Sequence, residues 1–200
     1  MKNKTFLFFA AVMFLFTVDS CQHHYPVSLV EADSLVYSNP KAALQKLDSL
    51  SLCLDTTQKA DVMYLRLLKM TAKDKLYMSF GTLDSVQSLV GYYEDNGDKQ
   101  LLPRAYYMLG RMFVESEDVP SALAAYRKVL AQLEQHEDIR LRGITNAQLG
   151  EMFGRQEILS LALSFYKEAF LCDSLLADEV GMLYDMRDMG TSFDYLGMKD

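Results

Sequence analysis

Tryptophan is missing from this 200-residue chain, and there are only three cysteines, three histidines and four prolines. Cys21, Cys53 and Cys172 are too few and too scattered for a disulfide framework or a cysteine-rich zinc site. His23 and His24 are adjacent, but sequence neighbours seldom converge on one ion without further ligands, and His136 is distant; no metal is expected. No tract rich in Pro, Ser or Gly is present, which argues against disorder and low complexity. Clustered Lys and Arg are lacking too, and a net charge of −7 is wrong for gripping phosphates, so nucleic-acid binding by this segment is not expected. Nor is there a nucleophile paired with a base or a phosphate-cradling glycine loop, so the chain reads as a non-enzyme needing no cofactor.

What is present is a composition that folds, 50% hydrophobic and 24% charged, and a repeat. Leu109-Gly110-Arg111-Met112-Phe113 recurs as Leu149-Gly150-Glu151-Met152-Phe153 and again as Met189-Gly190-Thr191-Ser192-Phe193, at steps of 40 residues. Nine residues after Phe113 and Phe153 comes an Ala-Leu pair, Ala122-Leu123 and Ala162-Leu163, followed by Tyr126 or Tyr166. Apolar residues at helical spacing predict helices over 27–38, 60–77, 84–94, 103–114, 120–133, 138–153, 159–172 and 179–195. A further helix starts at Pro40, with Asn39 placed to cap it and the missing proline N–H costing nothing in the first turn. Antiparallel helices approach closely only where one offers a small residue. Gly110, Gly150 and Gly190 are expected to be those residues, with Ala122 and Ala162 facing them and Tyr126 and Tyr166 filling the surrounding space.

At the amino terminus a positive start, Met1-Lys2-Asn3-Lys4, precedes an apolar run from Phe6 to Val18. A helix that short rises about 20 Å against a hydrocarbon core of about 30 Å, so a signal peptide is expected over 1–20 rather than a membrane anchor. Val18-Asp19-Ser20-Cys21 resembles a bacterial lipobox, with Asp19 departing from the usual small or aliphatic choice. The resemblance implies lipidation of Cys21, a tether over 21–26, and a body held to a membrane outside the cytoplasm.

The Leu-Gly pair, the aromatic three residues on, the second-helix alanine and the later aromatic resemble the tetratricopeptide repeat, well over 103–200 and loosely over 27–102. The 40-residue period exceeds the family's 34, Val129 stands where a small residue is usual, and no proline closes each unit. The fold implied is all-α: a right-handed superhelical solenoid of antiparallel helix pairs over 27–200, about four and a half repeats with the last incomplete. The wording of 105–111 and 122–126 resembles extracytoplasmic repeat regions of Gram-negative bacteria. Two functions follow from the resemblance. One is a membrane-anchored lipoprotein scaffold of the envelope that binds a protein or peptide; the other is the extracytoplasmic sensor portion of a truncated transmembrane transcriptional regulator.

The family's first helices line a concave face. Carried onto this sequence, its ligand-facing positions are Arg104, Tyr107, Arg111, Val114 and Glu115; Ile144, Ala147, Glu151, Gly154 and Arg155; and Tyr184, Arg187, Thr191, Asp194 and Tyr195. Taking Ala72 as the small residue of the second repeat adds Arg66, Lys69 and Lys73. A stripe of cations and tyrosines would suit an acidic or carboxylate-ended peptide. Cys53 and Cys172 are expected as buried free thiols.

Overall fold

A computed structural model describes residues 23–96 and 98–197. The expected signal peptide and Cys21 lie outside these residues. The described residues contain nine α-helices and no strand: α1 Val27–Leu35, α2 Pro40–Leu50, α3 Lys59–Lys75, α4 Leu83–Asp95, α5 Leu102–Glu115, α6 Val119–Leu133, α7 Ile139–Arg155, α8 Leu159–Leu175 and α9 Glu179–Tyr195. Each packs on its neighbour in sequence.

Helix starts follow the capping chemistry of their sequences. Asn39 accepts a hydrogen bond from the Ala42 amide with Pro40 in the first turn of α2, and Asp118, Asp138 and Asp178 accept from Ser121, Leu141 and Gly181. Thr82 and Ser85 cap α4 reciprocally. Asp55 binds the amide of Thr57 instead of capping α3, and α1 ends at Leu35 rather than Ser38.

Helix ends carry the period further back than the glycines do. Tyr77, Glu117, Glu157 and Gly197, spaced by 40, all have positive φ. After the first three, the amides of Met78, Asp118 and Ile158 reach back to the carbonyls of Lys73, Phe113 and Phe153, and α8 ends likewise with Asp178 on Asp173. This left-handed terminus closes each helix and turns the chain back.

One core runs through α1 to α7, with Leu29, Leu47, Leu68, Leu89, Tyr93, Met108, Tyr126 and Leu149 almost wholly inaccessible. Two of the repeated glycines sit at close helix approaches: a Cβ on Gly110 would lie 2.4 Å from the Tyr126 ring, and one on Gly150 2.7 Å from that of Tyr166. Of the two cysteines expected inside, Cys172 is buried, but Cys53 is exposed, because α2 ends at Leu50 and leaves it in the following turn.

Candidate binding groove

The left-handed turns fix which residues of α3, α5, α7 and α9 correspond. Tyr77 answers to Glu117, so Met70, not Ala72, holds the position of Gly110. Counting from the caps Thr82 and Asp118, Val90 stands where α6 has Tyr126. A glycine and a tyrosine are thus exchanged for a methionine and a valine, both buried.

This register corrects the expectation for Arg66, Lys69 and Lys73. They stand at the positions of Tyr106, which is buried, and of Leu109 and Phe113, which pack against the core. Arg66 donates to the Ser85 carbonyl of α4, Lys69 pairs with Asp48 of α2 at 2.6 Å, and Lys73 is half-buried.

Arg104 and Arg111 do lie on a shared face, but each is committed to a carboxylate. Both terminal nitrogens of Arg104 bond Asp33 of α1, at 2.8 and 2.7 Å, and Tyr64 donates to the same carboxylate at 2.6 Å. Burial pushes the Asp33 carboxyl up, yet the guanidinium bonded to it outweighs burial and leaves it below the usual carboxylate range. Arg111 donates from Nε to Asp74 of α3 at 2.8 Å and from Nη1 to Gln148 of α7 at 2.9 Å. Desolvation works against its charge, but Asp74 more than compensates and the guanidinium is held above its ordinary range. Tyr107, expected at the surface, is only 3% exposed, with its ring 5.8 Å from that of Tyr126.

The remaining predicted residues are accessible. Arg155 pairs with Glu151 one turn back on α7, and Arg187 with Asp188 while lying over the Tyr184 ring. Ion pairs this exposed are screened by solvent and easily exchanged for a ligand.

Two clefts open beside these residues. One, of about 320 Å³, is lined by Val114, Val119, Gln148, Glu151, Met152 and Arg155. The other, of about 240 Å³, is lined by Glu151, Gly154, Arg155, Tyr166, Thr191 and Tyr195. Glu151 and Arg155 belong to both, so the clefts adjoin across α7. Of the ligand-facing positions carried over from the family, Val114, Glu151, Gly154, Arg155, Thr191 and Tyr195 all line them. Gln148, Val119 and Met152 were not anticipated; Gln148 lies two turns before Arg155 on the 3.6-residue period, a signal available in the sequence.

At the opposite helix ends a wider basin is lined by Asp33, Tyr37, Arg104, Asp138, Arg140 and Asp178. Arg140 bonds Asp178 at 3.0 Å, and Arg140 and Lys75 both lie over the Tyr37 ring, at 5.6 and 5.5 Å. The chain's own α1 therefore reaches α3, α5 and α7 there. Among the described residues no three His, Cys, Asp or Glu side chains are placed to hold a metal ion, and no helix is long and apolar enough to cross a membrane.

No protein-family model matches the chain, and no curated protein matches it.

Proposed function

We propose that this protein is a non-enzymatic, tetratricopeptide-like scaffold that binds an extended segment of a protein partner in the adjoining clefts across α5, α7 and α9. The observation that carries the reading is that family-derived contact positions from three repeats line two clefts that share Glu151 and Arg155, with Val114 in one and Gly154, Thr191 and Tyr195 in the other. The repeating pairs would stack as a right-handed superhelical solenoid. Since Asp33 and Asp74 offset the part-buried Arg104 and Arg111, an acidic ligand would meet cations chiefly at Arg155 and Arg187, whose exposed pairs with Glu151 and Asp188 it could displace. Apolar contact with Val114, Met152 and Tyr195 and backbone bonds to Gln148 would supply the rest.

The lipobox-like sequence ending at Cys21, which would carry the lipid, supports a location in the cell envelope. Metabolic labelling with palmitate tests this: the label should be lost in Cys21→Ser together with membrane association, and a variant that stays labelled removes the anchor from the account. The groove is tested by selecting peptides from a display library on the full chain. Selected peptides should lose affinity for the double variant Arg155→Ala, Tyr195→Ala. Binding that both substitutions leave intact places the ligand elsewhere.

A further inference from the structure

We infer that Asp173 of α8 and Asp185 of α9 form a proton switch at the α8–α9 joint: sharing one proton they hold α9 on α8, and with both carboxyls ionised they release it. Thr191 and Tyr195 of α9 wall the second cleft, so the switch gates that cleft. This consequence rests on the groove reading above, whereas the switch itself does not.

The acids interrupt a pattern that carries no charge in the earlier repeats. At steps of 40 residues Asp173 corresponds to Leu133, Gly181 to Leu141 and Leu101, and Asp185 to Thr145 and Ala105, all of them buried. Asp185 keeps that burial at 4% exposed, and its Oδ2 has no hydrogen-bond partner. Asp173 reaches across the joint. A Cβ on Gly181, one turn before Asp185, would collide with the Asp173 carboxylate, and one on Gly143 of α7 would lie 3.3 Å from its Oδ1. The carboxylate is therefore wedged between α7 and α9 in space that two glycines leave open, and it bonds the carboxyl of Asp185. Two carboxyls in contact bond only through a proton; ionised, they repel. Asp185 faces inward, so the pairing is independent of whatever covers the outer face of α9.

Among the described residues the nearby cations are engaged elsewhere. Arg140 of α7 bonds Asp178 at 3.0 Å, Arg142 donates to the Leu133 carbonyl, Arg187 pairs with Asp188, and Lys75 of α3 lies over the Tyr37 ring. Arg140 and Lys75 draw the Asp173 carboxyl down, but burial and Asp178 outweigh them. Cys172 and Tyr166 of α8 stay neutral, because burial raises both. Burial, then Asp173 and Asp188, push Asp185 up to about 7. Released into water it would titrate near the ordinary value of about 3.9. The docked state thus holds its proton more tightly, so the docking this pair provides is complete at low pH and is lost as pH rises through about 7.

Hydrogen exchange of the full chain, read at α9 in wild type and Asp185→Asn at each pH, tests the switch; taking the ratio cancels the intrinsic pH dependence of exchange. Relative to Asp185→Asn, wild-type α9 amides should exchange roughly tenfold or more faster at about pH 8 than at about pH 5.5, with no such change in α5 or α6. Asp173→Asn, which offers an ionised Asp185 a donor, should lose the dependence too, and Asp194→Asn, an exposed acid of the same helix, should keep it. A peptide selected on the groove should weaken over the same range in wild type and hold its affinity in Asp185→Asn. Parallel exchange profiles for wild type and Asp185→Asn overturn the inference, as does a dependence that survives Asp173→Asn. Gated exchange with no peptide bound at either pH supports the switch and removes the groove reading instead.

Discussion

Replacing each repeated glycine by alanine should have opposite effects along the chain, and the sign follows from space alone. Within a helix the exchange gains about 1 kcal/mol of propensity. At Gly110 the new methyl would lie 2.4 Å from a Tyr126 ring carbon, more than 1 Å inside the roughly 3.5–4.0 Å of a relaxed contact. Tyr126 is fully buried and its ring is rigid, so it cannot swing into solvent. Overpacking of this kind costs about 1–3 kcal/mol or more, and Gly110→Ala should be net destabilising by about 1–2 kcal/mol. Gly150→Ala, at 2.7 Å from Tyr166, should behave alike. At Gly190 no atom lies within 4 Å and only the propensity gain remains, so Gly190→Ala should stabilise by up to about 1 kcal/mol. Urea denaturation followed by circular dichroism reads the first two. Hydrogen exchange of α9 amides reads the third, because terminal repeats can open separately from the rest. Stabilisation by Gly110→Ala, or faster exchange in Gly190→Ala, would refute the interlocking of glycine and tyrosine.

Arg111→Ala should destabilise by about 3 kcal/mol, since it strands the buried carboxylate of Asp74, while Arg111→Met with Asp74→Asn should recover most of the loss in the same denaturation assay. Asp185 is buried on α9; burial, then the neighbouring Asp173 and Asp188 carboxylates, push its carboxyl up to about 7. Its folded value lies above the unfolded one of about 3.9, so the stability it contributes is present at low pH and lost as pH rises through about 7. The wild-type melting temperature should therefore fall from pH 6 to 8 relative to Asp185→Asn, and parallel profiles would remove the assignment. Maleimide labelling with peptide mapping should modify Cys53 in the native protein and Cys172 only after denaturation, given their exposure and the burial that raises the Cys172 thiol.

The forty-residue period was legible in the sequence because its marks are steric: a glycine and a tyrosine that fill one space must recur together. The register of α3 was not, because Met70 and Val90 stand there in place of the glycine and the tyrosine, and because Tyr77 adopts the left-handed turn without being the glycine or asparagine that advertises one. Taking Ala72 as the small residue consequently set Arg66, Lys69 and Lys73 two residues out of the register that the left-handed turns give. The groove was legible as a set of positions but not as a charge. Asp33 neutralises Arg104 from 71 residues away, a pairing that local sequence patterns do not encode. Gln148 shares the helical face of Arg155 in the sequence, but its bond to Arg111 across 37 residues has no local sequence signal.

The central claim, a partner held across α5, α7 and α9, is tested most directly by photocrosslinking in intact cells. Benzoylphenylalanine would be placed at Gln148 or Tyr195 in the clefts and, as a control, at exposed Arg127 on α6. The account predicts one shared adduct from positions 148 and 195 and none from position 127. An adduct from 127 alone, or equal adducts from all three, would contradict it.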